Sequence, residues 1–472
     1  MNKRKQIAKY VVWDVVASMV AWGALFLFRK QNIDVASFDD VNQVFRDINL
    51  WRGLLCVPLF WLFIYIVQGS YRDVYRRARV KEFVQTLSAS VVGVVIIFFA
   101  LLLDDNISTY HNYYSSFLFL FTVHFLLTYV GRLAITSRAA HLIHSRQIGF
   151  PSLIVGSGNS AYATFCDVDQ QEVYSGEKFL GFVSLGGETN VKLAAAMPCL
   201  GGLDALPELV TRHRVEEVIV AIEPEENGKL KDILRQLNPC GEVIVKLTPD
   251  IRDIVFGSVK AHSIFHSPLI TVTGRFMEDW QYSVKRLFDI GASVVALVVL
   301  APLFLFTAVM VKLSSPGPVF YSQERIGKNG VPFRMHKFRS MYVDAEREGP
   351  ALSRDGDPRI TKWGRFMRKV RLDEIPQFYN VLRGTMSIVG PRPERQYFID
   401  QIVERVPEYL LLQRVKPGIT SWGQVRYGYA ENVEEMVERL RYDLLYLENM
   451  SLMTDIKIML YTVIIIVQGR GK

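Results

Sequence analysis

The sequence predicts three parts: a membrane α-helical bundle, an α/β Rossmann-like domain, and a mainly α-helical C-terminal domain that begins with a reentrant membrane helix. Long apolar runs fill the first third of the chain, alternating strand and helix patterns follow Gly149, and a fifth apolar run carries Pro302 near its middle. The length of 472 residues also suggests about three domains of ~150 residues each. The expected domains are residues 1–146, 147–270 and 279–472, with the reentrant helix at residues 285–312.

Four apolar runs in the first domain approach the ~20 residues that a membrane-spanning helix needs. They cover Ile7–Phe28, Leu54–Val67, Leu87–Leu103 and Ser116–Val130. No small-residue cleavage site follows the first run, so we expect a retained helix rather than a signal peptide. Burial in the core of a soluble protein is the alternative, but run length and loop charge together favour the membrane.

The loops between these runs alternate in charge. Lys3, Arg4 and Lys5 precede the first run, and five Lys or Arg residues lie between the second and third. The loop from Leu103 to Tyr114 contains neither residue type. Because cytoplasmic loops are enriched in Lys and Arg, we expect both ends of the bundle on the cytoplasmic side.

Composition narrows the range of partners. The 472 residues carry a net charge of +8, which suits contact with membrane lipid or anionic substrates. No basic tract with interleaved aromatic residues lies outside the membrane-flanking segments, so we expect no nucleic-acid partner. The four cysteines lie far apart without a Cys-x-x-Cys pair, which argues against a disulfide framework and a structural zinc site.

The middle of the chain alternates between strand and helix patterns, which predicts a parallel sheet covered by helices. Gly156, Gly158 and Ala161 form a Gly-x-Gly-x-x-Ala turn after the first strand, and such a turn can bind a pyrophosphate at a helix N-terminus. The acidic residue expected about 20 positions later is missing. Packing, regulation or dimerisation is therefore favoured over cofactor binding, which stays open. The expected strands are Pro151–Val155, Phe179–Leu185, Glu217–Ile222 and Glu242–Leu247, and the expected helices are Leu203–Arg212 and Lys229–Leu237.

Two histidines near the end of this region, His262 and His266, are spaced four residues apart. No third ligand lies nearby, so we interpret them as ordinary surface or loop residues rather than as a metal site.

The fifth apolar run, from Ile290 to Val311, is long enough to span a membrane. Pro302 removes a helix hydrogen bond within it and should kink the chain. We expect a helix that starts at Lys285 and Arg286, breaks near Pro302 and returns to the same face; a plain fifth span is the alternative. Asp289 is expected to pair with Arg286 or to cap polar groups at the bend.

Two adjacent carboxylates, Asp373 and Glu374, lie in a strongly basic part of the C-terminal domain. One acid can attack phosphorus, the other can hold a divalent metal, and nearby cations can carry the negative charge of a phosphate substrate. An exposed ion-pair network is the alternative interpretation of such a pair. The basic residues around it are Lys337, Arg339, Arg368, Arg383, Arg392 and Arg395.

The motifs of this domain resemble, in order and without a missing block, the bacterial sugar transferases called monotopic phosphoglycosyl transferases. They are Pro316–Gly327, Phe333–Met341, Asn380–Glu394 and Lys416–Val425, together with the carboxylate pair. The front half is similar to the long form of this family, which carries four transmembrane helices and a Rossmann-like domain. The resemblance implies transfer of hexose-1-phosphate from a UDP-sugar to undecaprenyl phosphate, with release of UMP, as the first membrane step of capsule, exopolysaccharide or O-antigen synthesis.

The resemblance also implies residue roles. Asp373 matches the family's nucleophile, which forms an aspartyl phosphosugar, and Glu374 matches its Mg²⁺ ligand. Arg368 matches a phosphate-contacting Arg, and Arg392 lies in a rigid Pro-Arg-Pro that preorganises its guanidinium for phosphate. Lys337, Arg339 and Arg325 are expected to contact substrate or lipid phosphate. Gln377 and Asn380 are expected to orient the carboxylate pair, and Arg359 and Arg371 are interpreted as surface charges.

Several points depart from the family or stay open. Thr385 stands where many relatives carry an acid, and Ala301 precedes Pro302 where Ser is common. A membrane-bound nucleotide-sugar dehydratase or epimerase is the second hypothesis, and its Tyr-x-x-x-Lys signature occurs only at Tyr174–Lys178. A non-catalytic membrane scaffold is the third. The expected location is a bacterial inner membrane with the catalytic domain on its cytoplasmic face, and a homodimer is expected; the hexose is not predicted.

Overall fold

A computed structural model gives the fold, which separates into two units. The first combines Met1–Gly149 with Val173–Gly176 and Asp279–Ser283, and the second contains the rest of the chain. The structure describes residues 3–32, 41–102, 110–171, 174, 176–186, 189–240, 243–248, 269–271, 276–345, 349, 352 and 356–468.

The four predicted apolar helices are confirmed in the first unit, and each is longer than the apolar run that predicted it. Among the described residues, four helices are long and apolar enough to cross a membrane, or five if a bent pair near residue 300 counts as one span. A π-helical turn, Phe98–Leu102, directly follows the helix Arg79–Ile97. The helices are α1 (Lys3–Asn32), α2 (Val41–Arg46), α3 (Ile48–Val67), α4 (Arg79–Ile97) and α5 (Tyr110–His144), of which α2 is short.

Charged side chains are buried inside this helical unit. Arg132 donates hydrogen bonds to both carboxylate oxygens of Asp14 at 2.8 and 2.7 Å, and its Nη1 lies 3.5 Å from Glu82. Its guanidinium also lies 3.9 Å from the ring centroid of Tyr65. Arg77 pairs with Glu82 at 3.1 Å, so two cations balance two carboxylates. Arg77 lies in the segment between α3 and α4, whereas Arg132 lies within α5.

The predicted Rossmann-like sheet is confirmed in the second unit. Its strand order is β3-β2-β1-β4-β5-β6, with β1 to β5 parallel and β6 antiparallel to β5. The sequence patterns missed β3 and β6, and His262, His266 and Glu242 lie outside the described residues. The strands are Phe150–Val155, Glu177–Ser184, Cys199–Gly202, Glu217–Val220, Ile244–Leu247 and Ile270–Thr271; the helices are α6 (Asn159–Asp169), α7 (Val191–Ala196), α8 (Leu206–His213) and α9 (Leu230–Leu237).

Both faces of the sheet are buried. Leu153 and Val155 of β1 pack into one apolar cluster, and Ile154 between them packs into another on the opposite face. This alternation follows from the two-residue period of a strand. Parallel sheets covered by helices on both faces give nearly continuous apolar strands, which is why the sequence pattern was readable here.

The predicted break in the fifth apolar run is confirmed. Helix α10 (Asp279–Val299) and helix α11 (Ala301–Ser314) meet at Leu300 with a bend of 63°. Pro302 lies in the first turn of α11, where a missing N–H is tolerated and the fixed φ favours the start of a new helix.

The rest of the C-terminal domain combines short helices with a hairpin that the sequence patterns did not predict. Strands β7 (Phe320–Ile326) and β8 (Pro332–Phe338) form this antiparallel hairpin, and two short strands, β9 and β10, pair in parallel. The remaining elements are α12 (Lys362–Lys369), α13 (Gln377–Arg383), β9 (Ser387–Val389), α14 (Gln396–Arg405), α15 (Tyr409–Leu412), β10 (Gly418–Thr420), α16 (Trp422–Arg426), α17 (Val433–Glu448) and α18 (Leu452–Val467).

The first part of α10 is fixed to this domain by charged side chains. Lys285 Nζ donates to the Val389 carbonyl at 2.9 Å, and Arg286 donates to two carbonyls near the end of α13. Asp289 accepts from Ser387 Oγ at 2.8 Å and from the Ile388 N–H at 3.0 Å. Asp289 therefore binds the start of β9, rather than pairing with Arg286 or capping the bend as expected.

The far end of the helix pair packs on the same domain. Val311 of α11 is buried in one apolar cluster with Phe338 of β8, Met367 of α12 and Ile375. Ile375 directly follows the carboxylate pair, so the core beneath the pair is shared with the helix that would enter the membrane.

Candidate active site

The carboxylate pair lies in a tight turn between two helices. Thr361 caps the N-terminus of helix α12, and its hydroxyl accepts a hydrogen bond from the Gly364 N–H at 2.9 Å. After α12, Arg371 adopts a left-handed backbone with φ of 56°, and the 3₁₀ turn Leu372–Glu374 follows. A non-glycine residue in this region carries a strain of about 1–2 kcal/mol, and such strain is found at functional sites.

This backbone reversal brings Arg371 against the carboxylate that it precedes. Arg371 Nη1 lies 3.2 Å from Glu374 Oε2, and Lys337 Nζ on β8 lies 3.0 Å from Glu374 Oε1. The side chain of Arg371 is 18% exposed. The interpretation of Arg371 as a surface charge was therefore wrong, because the left-handed turn could not be read from the sequence.

Seven side chains line one cleft around the pair, which encloses about 320 Å³ of space open to solvent. Four of them are cations and two are the carboxylates, so the cleft keeps an excess of positive charge when both acids are ionised. The seven are Lys337, Arg368, Arg371, Asp373, Glu374, Arg392 and Tyr429. Five of the seven, all except Arg371 and Tyr429, are residues that the sequence predicted for the site. Tyr429 lies outside every motif that drew attention in the sequence.

The two carboxylates differ in their electrostatic setting although they are adjacent. Burial raises the pKa of Asp373, and the neighbouring Glu374 raises it further, against the opposing charge of Lys337. Burial also opposes ionisation of Glu374, but Lys337, Arg371 and Arg392 outweigh it and hold its pKa well below its usual range. Glu374 is thus a fixed anion, while Asp373 is the more basic oxygen nucleophile of the two.

Arg392 is oriented by a buried acid that the sequence analysis did not single out. Glu394 is 4% exposed, and its carboxylate lies 3.8 Å from Arg392 Nε, 3.0 Å from Arg325 Nη1 and 2.7 Å from Arg439 Nη2. Three guanidinium groups thus share one carboxylate, which leaves net positive charge beside the cleft. Glu394 and Arg439 come from distant segments, so only the fold reveals that they meet.

Two cations predicted to contact substrate are engaged elsewhere. Arg339 donates to the carbonyls of Ser315 and Pro316, both at 2.7 Å, and so fixes the end of α11. A Cβ on Gly317 would meet the Arg339 guanidinium, so this site requires glycine, whose φ is +128°. Arg325 binds Glu394 and does not line the cleft. The structure gives both residues supporting positions, and their contact with substrate stays a prediction.

The two predicted orienting amides have different surroundings. Asn380 Oδ1 accepts from the His336 N–H at 3.0 Å and its Nδ2 donates to the Arg334 carbonyl at 2.8 Å, which ties α13 to β8. Gln377 is 2% exposed and lines a second, smaller cleft of about 200 Å³ together with Lys337, Glu374 and Arg392. That second cleft is lined partly by apolar side chains. Its apolar walls are formed by Met335, Pro393 and Ile419, with Gly418 beside them.

The donor set of the cleft is compatible with Mg²⁺ that arrives with a phosphate substrate. Among the described residues, no group of three or more His, Cys, Asp or Glu side chains forms a self-contained metal site. Mg²⁺ commonly binds one or two carboxylates together with substrate phosphates, and Asp373 and Glu374 supply such oxygens. Each oxygen of Glu374 already accepts one hydrogen bond, yet a carboxylate has about four lone-pair sites and retains room for a metal.

The Gly-rich turn of the Rossmann-like domain holds an acid of the chain itself. Glu223 Oε1 accepts the Ser160 N–H at the start of α6, at 2.7 Å. A Cβ on Gly158 would lie 2.5 Å from the same oxygen, so the turn packs directly against this carboxylate. A helix N-terminus attracts anions, and here Glu223 takes that position.

A family model described as bacterial sugar transferase matches residues 280–469. A UDP-glucose:undecaprenyl-phosphate glucose-1-phosphate transferase of Escherichia coli (strain K12) is 31% identical over 91% of this chain and 94% of its own length. The chain belongs to the bacterial sugar transferase family. These matches do not support the second hypothesis, a membrane-bound dehydratase or epimerase. Tyr174 of its Tyr-x-x-x-Lys signature has the Arg146 guanidinium 4.7 Å from the centroid of its ring.

Other members of this family differ in the sugar that their names state. A UDP-N-acetylgalactosamine-undecaprenyl-phosphate N-acetylgalactosaminephosphotransferase of Aeromonas hydrophila is 45% identical over 40% of this chain. A UDP-glucose:undecaprenyl-phosphate glucose-1-phosphate transferase of Xanthomonas campestris pv. campestris is 39% identical over 57% of it. The matched stretches span 44% and 56% of those two relatives, so similarity to them covers about half of each protein.

A second family model, for a CoA-binding domain, matches residues 67–240. The Gly-rich turn of this domain does not fit a phosphate of such a ligand, because Glu223 already accepts the Ser160 N–H in the first turn of α6 and would repel a second anion. No step of the chemistry is therefore assigned to this domain.

Proposed function

We propose that this protein transfers hexose-1-phosphate from a UDP-sugar to undecaprenyl phosphate, giving undecaprenyl-diphosphate-sugar and UMP. The observation that carries the proposal is the cationic cleft around Asp373 and Glu374, which suits a substrate with two linked phosphates. The names of the relatives give the same reaction class. Such a reaction starts the assembly of capsule, exopolysaccharide or O-antigen on its lipid carrier.

In the proposed mechanism, Asp373 Oδ attacks the sugar-bearing phosphorus, forms a P–O bond and breaks the bond to UMP. Arg368 and Arg392 bind the charged phosphate oxygens, and Lys337 and Arg371 keep Glu374 ionised beside them. A phosphate oxygen of undecaprenyl phosphate then attacks the same phosphorus and releases the Asp373 carboxylate. Mg²⁺, held by Glu374 and the substrate, would neutralise the diphosphate and stabilise departing UMP.

We also propose that α10 and α11 form a reentrant helix and that the catalytic cleft faces the cytoplasm of a bacterium. Lys285 and Arg286 bind one end of the helix pair to the C-terminal domain, while Arg339 and Val311 bind the other end to it. One folded domain lies on one side of a bilayer, so both ends belong on that side. UDP-sugars are made in the cytosol, which selects the cytoplasmic face.

The chemistry is tested with membranes that contain the full chain, a UDP-sugar, Mg²⁺ and undecaprenyl phosphate. We expect Asp373→Asn to abolish UMP release, since an amide cannot replace the nucleophile. Without acceptor, the wild-type protein should release about one UMP per enzyme and gain the mass of a sugar phosphate. Asp400→Asn, which changes an exposed acid bonded to Gln396, is the matched control and should stay active. Full activity of Asp373→Asn would exclude the covalent route.

The same assay with UDP-glucose, UDP-galactose and their N-acetyl counterparts identifies the sugar. The topology is tested by placing a cysteine at Leu313, which is 75% exposed, in a cysteine-free background. A membrane-impermeant thiol reagent should not label this position in intact cells. Labelling from outside would mean that the helix pair crosses.

A further inference from the structure

Tyr429 is the one uncharged side chain among the seven described residues that line the first cleft. Its hydroxyl accepts a hydrogen bond from Arg368 Nη2 at 3.3 Å. The guanidinium carbons of Arg368 and Arg392 lie 5.8 and 5.3 Å from the centroid of its ring. Both distances fall within the ~6 Å over which a cation is attracted to an aromatic ring.

Tyr429 thus connects two cations that would otherwise repel each other. Arg368 comes from α12, and Arg392 comes from the Pro-Arg-Pro segment after β9, so no shared backbone fixes the spacing of their guanidinium groups. Both face the same cleft, where two like charges raise each other's energy until an anion binds. A ring between them stabilises their approach in the absence of substrate.

We infer that Tyr429 is a positioning residue whose ring and hydroxyl hold Arg368 and Arg392 in the arrangement that receives the phosphates of the substrate. This inference rests on the proposed function and adds to it a residue that no motif identified. Tyr429 acts through the two arginines and takes no part in bond making.

The charges around Tyr429 give this role a pH signature. Cations face it from four elements: Arg325 on β7, Lys337 on β8, Arg368 on α12 and Arg392 after β9. Burial raises the pKa of the phenol, but Arg392 and the other cations outweigh it and lower the pKa to about 8. Above that pH, the phenolate would compete with the substrate for both guanidinium groups. The other charged residues of the cleft are Arg371, Asp373 and Glu374.

The test compares Tyr429→Phe and Tyr429→Leu in the full chain. For the wild-type protein, kcat/KM for the UDP-sugar should fall with an apparent pKa of about 8, since kcat/KM reports ionisations of the free enzyme. Tyr429→Phe keeps the ring without an ionisable group, so this alkaline fall should vanish, and KM at neutral pH should rise less than in Tyr429→Leu because only the 3.3 Å bond to Arg368 is lost. Tyr429→Leu removes ring and hydroxyl, and KM should rise about tenfold with kcat less affected.

Tyr427→Phe is the matched control, because the Tyr427 hydroxyl donates to Glu438 at 2.9 Å and does not line the cleft. It should keep the wild-type profile. Calorimetric titration with inorganic pyrophosphate gives a second readout that does not need turnover, and affinity should fall about tenfold in Tyr429→Leu. An unchanged alkaline fall in Tyr429→Phe, or unchanged pyrophosphate affinity in Tyr429→Leu, would refute the inference. Absence of UMP release from wild-type protein with every UDP-sugar would instead refute the proposed function.

Discussion

Replacing Lys337 with Met should slow sugar-phosphate transfer about 10²–10³-fold. Lys337 Nζ lies 3.0 Å from Glu374 Oε1, and the side chain lines both clefts. Met keeps much of the apolar stem and removes the charge, so the packing of β8 should change little. Lys337 keeps Glu374 ionised beside the reacting phosphate, so we expect its loss to cost about 2.7–4 kcal/mol of transition-state stabilisation, as for removal of one electrostatic group in an active site, which corresponds to this range of rates.

The same substitution should also move the acid limb of the pH profile. Lys337 is the strongest of the charges that lower the pKa of Asp373 against burial and Glu374. The folded-state pKa of Asp373 is already raised, and removal of Lys337 raises it further. Because the carboxylate is reactive only when ionised, activity should be lost most at low pH and partly recovered as the pH rises through the higher pKa.

The assay is UMP release as a function of pH, with two companion variants. Lys337→Arg keeps the charge and should retain the position of the acid limb. Lys369→Met removes an exposed lysine of α12 that does not line the cleft and should match the wild-type protein. An unshifted acid limb in Lys337→Met, or activity within about threefold of the wild-type value, would refute the electrostatic reasoning.

Three further predictions concern stability and ligand binding. Arg132→Met leaves Asp14 buried without its main cation and should lower the free energy of unfolding in detergent by about 3–5 kcal/mol. Adding Asp14→Leu removes the unpaired charge and should restore most of that stability. A double variant as unstable as Arg132→Met would contradict the pairing. Asn238→Ala removes the 2.6 Å hydrogen bond to Gln413 and should lower the free energy of unfolding in denaturant by about 1–3 kcal/mol. An unchanged free energy of unfolding would contradict a role of this bond in stability. Glu223→Ala frees the Ser160 N–H and should create pyrophosphate binding at the Gly-rich turn, measured by calorimetry. Pyrophosphate binding at this turn in the wild-type protein would contradict the view that Glu223 occupies the anion site.

Patterns that repeat along the chain made much of the fold predictable. The apolar runs and the strand-helix alternation have periods that a sequence displays directly. The break near Pro302 was predictable because proline changes the backbone locally. The carboxylate pair and Arg392 were predictable because their chemistry lies within short motifs.

The remaining features depend on where distant segments meet. Arg371 was misread because its contact with the cleft requires a left-handed backbone that any sequence pattern disfavours. Arg339 resembled a substrate ligand, but its position relative to the end of α11 is set by tertiary packing. Tyr429 contacts Arg368, 61 positions away, and Glu394 contacts Arg325 and Arg439, 69 and 45 positions away, so these contacts carry no local signal; only the contact of Glu394 with Arg392 is local. A single chain without periodicity at these positions cannot reveal such contacts.

The buried pairing of Asp14 with Arg132 also has a consequence for biosynthesis. The two residues are 118 positions apart, and Asp14 belongs to α1, which is made before α5. At a synthesis rate of about 5–20 residues per second, roughly 6–24 s pass between the synthesis of Asp14 and that of Arg132. An unpaired acid at the centre of a membrane helix costs about 2.5–3.5 kcal/mol during insertion. If α1 crosses a bilayer, as its length and apolar composition allow, it would therefore gain its full stability there only after α5 has left the ribosome.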